Sequence, residues 1–232
     1  RNSYSFICNL CNDKNNKLVQ KFGQANVTVD DLLEGVKKAE EGIVRLVLEN
    51  LHIEAINSRH GDSLDSALHI CCQKHYLGCA KALLENGAKV DVVNKRDETP
   101  LFQASLLKNR HAMVELLLLY GADPRKHTNS GSTALHAACV AGEVEYVIQL
   151  VKNGAIVNTQ NSKNGETPLH KACSLAEPEV VRELLLARAH KRYVALIHNF
   201  PSPLSPIHFQ LFHKPDSNTF NAVCLPPAKH SK

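Results

Sequence analysis

The sequence predicts an all-α solenoid of stacked helix–turn–helix–hairpin units, and three observations predict it. One tetrad returns four times: Ser66-Ala67-Leu68-His69, Thr99-Pro100-Leu101-Phe102, Thr133-Ala134-Leu135-His136 and Thr167-Pro168-Leu169-His170, at spacings of 33, 34 and 34 residues. A second mark, Gly87-Ala88, Gly121-Ala122 and Gly154-Ala155, follows its tetrad by 21 or 22 residues, with Arg188-Ala189 at that place in the fourth copy. Self-similarity at such a period marks a repeat architecture. The third observation is compositional: aromatic residues make up only 5% of the chain and Trp is absent, which suits thin helical layers of Leu, Val, Ala and Cys.

Along the chain, residues 1–26 are polar and Asn-rich and are expected to be largely unstructured. The repeat region runs over 27–189. It opens with a divergent unit at 30–56, Leu32 to Gly42 followed by Ile43 to Leu48, which lacks the tetrad. That suits a capping unit, because the first repeat must show one face to water. Four recognisable units follow at about 57–88, 89–122, 123–155 and 156–189.

Each unit explains itself locally. The Ser or Thr of the tetrad offers an oxygen to the free N–H groups of a helix start, and Pro fits the first helical position. Small residues follow, Cys71-Cys72 in the first copy and Ala137-Ala138-Cys139 in the third, and let neighbouring helices approach closely. Gly142 allows a tight turn into a second helix, Val144 to Lys152, with Val147, Ile148, Leu150 and Val151 as its buried stripe. Gly154 closes that helix in the left-handed conformation, and the polar segment Thr159 to Glu166 turns the chain towards the next tetrad.

This unit resembles the ankyrin repeat, whose signature is a T-P-L-H tetrad, an Ala-rich first helix and a terminal Gly-Ala. The resemblance covers roughly Asn57 to Ala189. Departures are local: Phe102 stands for the family His, Asp97 for the hairpin Gly, and Arg188 for the terminal Gly. One residue is added near Lys108-Asn109, and about four lengthen the loop between Asn50 and Ser66. The resemblance implies that His69, His136 and His170 brace the hairpin and the helix start. It also implies a concave docking face built from hairpin tips and first helices. On this sequence the tips are Arg59, His60, Asp62; Lys95, Arg96, Glu98; Asn129, Ser130, Ser132; and Lys163, Asn164, Glu166. The helices give Gln73, Lys74, Leu106, Leu107, Val140, Ala141, Ser174 and Leu175. The apolar run Leu106, Leu107, Val140 and Leu175 with a charged rim is the expected centre of a contact. A further implication concerns Asn158: with Val157 before it and Leu150 eight residues earlier, it matches the context of an oxygen-dependent asparaginyl hydroxylase.

Charge and composition narrow the function classes. The formal net charge is +4, but residues 189–232 hold five Lys/Arg against one acid, leaving 22 basic and 22 acidic residues before them. A nucleic-acid binder needs a basic folded face, and this body is balanced. No apolar run approaches the ~20 residues of a membrane span. Cys8-Asn9-Leu10-Cys11 has the spacing of half a zinc site, yet four ligands are needed and no second pair lies near. Cys71, Cys72, Cys79, Cys139 and Cys173 fall at packed helix positions, where free Cys acts as a small hydrophobe; this points to a reducing compartment, cytoplasmic or nuclear. Of the thirteen His, three belong to tetrads, His75 and His111 sit at helix–helix turns and five lie in the tail. No Ser/His/Asp set, phosphate loop or paired acid emerges. The expected function is therefore non-catalytic binding of another protein, as adaptor or scaffold, without cofactor, metal or obligatory small molecule. The alternative is the recognition segment of a larger enzyme complex, such as a ubiquitin-ligase adaptor or a kinase. A chain that starts at Arg1 rather than Met reads as a fragment or processed product.

The tail, 190–232, holds six of the ten Pro and is expected to be mostly disordered. Ile207, Phe209, Leu211 and Phe212 alternate like a strand that lacks a partner, and could lie back on the last repeat.

Overall fold

The computed structural model describes residues 28–187, 209–212 and 221–224. The chain divides into two compact units, 1–95 and 96–232. The expected features at Cys8, Cys11 and Arg188 lie outside the described residues.

In the first unit, α1 (Val29–Lys37) and α2 (Glu41–Asn50) form the divergent pair expected from the sequence. Thr28 starts α1: its N–H and its hydroxyl both donate to Asp31 Oδ2, at 2.9 and 2.8 Å. The short α3 (Ile53–Ile56) occupies the lengthened loop. Next come α4 (Ala67–Lys74) and α5 (Leu77–Glu85). The apolar stripes meet as α1 on α2 and α4, and α5 on α2 and α4, burying Leu32, Val36, Ile43, Val47, Leu68 and Leu83. Arg45 ties α2 to α5, at 3.0 Å from Glu41 and 2.9 Å from Glu85.

The second unit holds α6 (Pro100–Leu106), α7 (His111–Leu119), α8 (Ala134–Ala141), α9 (Val144–Lys152), α10 (Pro168–Ser174) and α11 (Pro178–Leu186). Two rows result, α6–α8–α10 and α7–α9–α11. The first row packs closely because its facing residues are Ala104, Ala137, Ala138, Cys139 and Ala172, all buried. The stripe of α9 differs from the expected one: Tyr146, Val147 and Leu150 are buried, while Ile148 and Val151 are half-buried.

The tail corrects a second expectation. Strand β1 (Phe209–Phe212) has a partner, β2 (Asn221–Cys224), antiparallel, pairing Phe209 with Cys224 and Leu211 with Ala222. The alternation at 209–212 was legible; the partner was not, because Asn221–Cys224 is a four-residue run of mixed polarity.

A left-handed residue recurs at one place in every unit, the turn between its two helices: Ala39, His75, Asn109, Gly142 and Ala176. A second recurs in every hairpin: Leu64, Asp97, Gly131 and Gly165. The turn geometry is thus common to all copies, although only Gly adopts it without steric cost.

Candidate protein-docking face

The hairpins are aligned by a backbone ladder. In the first unit Lys95 N–H donates to the Ser63 carbonyl at 2.9 Å; in the second, Asn129 N–H donates to Arg96 at 3.1 Å and Ser162 N–H to Ser130 at 2.8 Å. Gly131 makes the last rung possible: a Cβ there would stand 2.4 Å from Ser162 N, on a backbone with φ +74°. Beneath the tips of the second unit, Thr128 and Asn161 are buried; in the first unit Asn94 is buried. Asn161 Oδ1 accepts from the N–H groups of Asn164 and Glu166 at 3.2 and 3.1 Å. The tips are consequently held by the interior.

The tetrad imidazoles brace their helix starts as the resemblance implied, and His136 also braces a hairpin. In the second unit His136 Nδ1 accepts from Thr133 N–H at 3.1 Å and His170 Nδ1 from Thr167 N–H at 3.2 Å; His69 does the same with Ser66 at 3.2 Å. An Nδ1 that accepts leaves the proton on Nε2, and His136 Nε2 lies 3.1 Å from the Glu166 carbonyl, to which it donates. One ring therefore caps α8 and ties it to the following hairpin. Burial holds both His136 and His170 below the ordinary imidazole range, keeping them neutral.

The predicted helix residues separate into two columns when counted from the capping Thr. Seven residues on stand Leu106, Val140 and Ser174; eight on stand Leu107, Ala141 and Leu175. The first column is exposed, with Leu106 at 43% and Val140 at 42%. The second corrects the expected site. Ala141 is 3% exposed and unavailable to a partner, because α8 turns it into the packed layers; Leu107 is half-buried. Leu175 is exposed, yet it occupies Ala141's place and so belongs to the end of the array rather than to the strip. The strip thus reduces to Leu106 and Val140, continued by a polar Ser174.

Around it, Asn129, Lys163 and Asn164 are exposed, while Ser130 and Ser132 are half-buried in a chain of hydroxyls: Thr128 Oγ1 is 3.0 Å from Ser130 Oγ, which donates to Ser132 Oγ at 3.1 Å. Both rim carboxylates are engaged. Glu98 pairs with Arg96 at 3.0 Å, and Glu166 pairs with Lys171. Burial pushes the Glu166 carboxyl up, but the Lys171 ammonium and the surrounding donors outweigh it and hold the group below its ordinary value. Lys95 is exposed and belongs to the first unit.

Sequence reasoning missed Tyr146. Its hydroxyl accepts from Arg110 N–H and donates to the Leu107 carbonyl at 3.0 Å, and its ring meets His111 edge-on with centroids 4.9 Å apart. Glu143 Oε1 accepts from Asn109 N–H at 3.1 Å. These side chains satisfy the backbone opened by the extra residue at Lys108-Asn109. The inserted residue was visible as a signal; its distant partners, 34 to 39 residues on, were not.

The chemistry of the described residues is that of packing. Cys71, Cys72, Cys79, Cys139 and Cys173 are free and buried, and burial pushes the thiols of Cys71, Cys72 and Cys139 far above the usual range, away from nucleophilic thiolate. Among the described residues no cluster of three or more His, Cys, Asp or Glu could hold a metal ion, and no helix is long and apolar enough to cross a membrane.

The family model described as ankyrin repeats (3 copies) matches residues 36–127 and 101–193. The chain belongs to the ankyrin-repeat family. Its fold is an all-α ankyrin solenoid, the class expected from the tetrads, and repeats of this kind generally serve protein–protein interaction and are typically non-enzymatic. Similar proteins include the inactive serine/threonine-protein kinase TEX14 of Bos taurus, 33% identical over 108 residues, which is 47% of this chain and 7% of that protein. The B-cell lymphoma 3 protein homolog of Mus musculus is 40% identical over 100 residues, 41% of this chain and 21% of that one. Ankyrin repeat and SOCS box protein 11 of Homo sapiens is 36% identical over 118 residues, 50% and 35% of the two chains. The chain therefore spans about a third or less of each of these relatives.

Proposed function

We propose that this ankyrin domain is a non-catalytic adaptor or scaffold module that binds a partner protein through the hairpin-and-first-helix face of its second unit. The observation that carries this reading is the pair Leu106 and Val140. They hold equivalent places in successive repeats and are both exposed, beside tips that the interior has already ordered. Exposed apolar side chains on a rigid frame lose little conformational freedom on binding, which is where affinity is gained. The rim supplies Arg96, Asn129, Lys163 and Asn164 for hydrogen bonds and charge pairing, and its mixed sign fits a protein better than a polyanion. The charge-balanced body and the buried thiols support a partner in the cytoplasm or nucleus and a site that needs no cofactor, metal or small molecule.

The test is affinity capture with quantitative mass spectrometry, wild type against Leu106→Glu/Val140→Glu. Loss of specific partners from the double variant, with unchanged circular dichroism, supports the reading. An unchanged set of partners from a folded variant contradicts it.

A second reading treats the domain as the recognition segment of a larger complex, and what supports it is the company it keeps: one relative is named for a SOCS box and another for an inactive kinase, and both extend far beyond the matched region. On that reading the same face binds the protein to be delivered to the complex. Hydroxylation of Asn158 is a further proposal. Asn158 is half-buried and Leu150 fully buried, so modification requires the repeat to open; mass spectrometry of the Asn158 peptide after treatment with an asparaginyl hydroxylase reads it as a gain of one oxygen.

A further inference from the structure

The charges of the second unit are mixed in sign but not evenly placed. Around its hairpins each ion pair keeps the acid inside and the base outside. The Arg96 side chain is 71% exposed and that of its partner Glu98 13%; Arg125 is 62% exposed and Asp123 27%. Lys171 and Glu166 follow the same order. The acids are inside because the hairpins use them: Gln103 Nε2 donates to Glu98 at 3.3 Å, and Arg125 N–H donates to Asp123 at 3.0 Å. Lys126 and Lys163 are exposed, and among the described residues no acid lies within ion-pair distance of either. The hairpins therefore show solvent Arg96, Arg125, Lys126 and Lys163 against one exposed acid, Asp97.

The second helices lean the other way. Glu115, Glu145 and Glu179 are exposed there against Lys152 and Arg182, and Arg182 pairs with Glu179 with both members exposed. Unequal potentials on two sides of one unit steer and orient a charged partner before contact. On the reading proposed above, the cationic side also carries Leu106 and Val140. A bare polyanion would satisfy the cations and leave these two side chains in water. An acidic protein segment with apolar residues of its own meets both.

We propose that the segment bound by this face is acidic and apolar together, with Asp or Glu carboxylates meeting Arg96, Lys126 and Lys163 and apolar side chains meeting Leu106 and Val140. The proposal rests on the docking face proposed above and adds the chemistry of its partner.

A displayed library of random peptides, selected on the full chain, tests it, with anisotropy titrations of the enriched peptides and circular dichroism of each variant. Enrichment of Asp and Glu beside apolar residues is expected. Lys126→Gln/Lys163→Gln, which breaks no ion pair, should weaken an enriched peptide about fivefold or more, the size of two exposed charge contacts. Lys152→Gln/Arg182→Gln removes the same charge from the second helices and should change affinity by less than about twofold, because distant charges are screened. Leu106→Ser/Val140→Ser should weaken the peptide about tenfold or more through lost apolar burial.

Enriched peptides that are neutral or basic, or that ignore Lys126→Gln/Lys163→Gln, overturn the proposal; if Leu106→Ser/Val140→Ser still weakens them, the docking face itself stands. Peptides that ignore Leu106→Ser/Val140→Ser contradict the face as well. A homopolymeric RNA that displaces the peptides and binds Leu106→Ser/Val140→Ser as tightly as wild type overturns the proposal too, because charge alone would then make the site. A library that enriches nothing has the same consequence.

Discussion

The repeat at 123–155 and the one before it reach the same backbone by different means. The former fills both left-handed positions with Gly131 and Gly142 and braces itself with His136. The latter has Asp97 and Asn109 in the left-handed positions and Phe102 where the imidazole would be. Its capping Thr99 still accepts from Phe102 N–H, at 3.2 Å. Phe102 has no ring nitrogen to return the bond or to reach the next hairpin. What it lacks locally is supplied from its neighbour, by Tyr146 and Glu143 on the inserted turn. One repeat is thus stabilised mainly from within and the other from outside, and mutations separate them.

The largest effect is expected at Gly131. Gly131→Ala meets both the positive φ and the Ser162 backbone at 2.4 Å, and should cost about 3 kcal/mol in a urea titration. Its counterpart, Asp97, already carries a Cβ, so Asp97→Ala should change stability by less than ~0.5 kcal/mol. Equal losses at both positions would erase the distinction.

Next comes Tyr146→Phe, which leaves the Arg110 N–H and the Leu107 carbonyl unpaired in a partly buried turn. The expected cost is about 1–2 kcal/mol, with faster amide exchange at 107–111 and little change at 142–144.

His136→Phe converts one repeat towards the other and should cost about 1 kcal/mol. Its pH dependence is more diagnostic. Burial lowers the folded-state pKa of His136 and His170, so the unfolded chain binds the proton more readily. The stability these neutral rings allow is complete above about pH 6.5 and is lost progressively as pH falls below it. The variant should show a shallower acid loss in thermal melts between pH 7 and 5.

The smallest effect is a gain. Ala176 holds the left-handed turn position that Gly142 holds in the preceding repeat, and Ala176→Gly should stabilise by about 0.5–1 kcal/mol by calorimetry.

The repeats were legible because their signals are local and periodic: a capping hydroxyl three residues from its imidazole, and small residues where helices touch. Asp97 and Asn109 were readable as departures from that period. Tyr146 was not, since its partners lie 36 and 39 residues away and answer an insertion in another repeat. The site was legible only in part. Leu106 and Val140 stand where the pattern puts them, but Ala141 and Leu175 share one column and differ in exposure only because the described array ends after α11. Exposure at an end depends on what covers it, which no local spacing encodes.

The most direct test of the docking face is a hydrogen-exchange footprint of the domain bound to the partner it captures. Slowed exchange in α6, α8 and the tips at 129–132 and 162–166, with α7 and α9 unchanged, is the predicted result. Protection confined to α7 and α9, leaving those tips and first helices at their free rates, would contradict it.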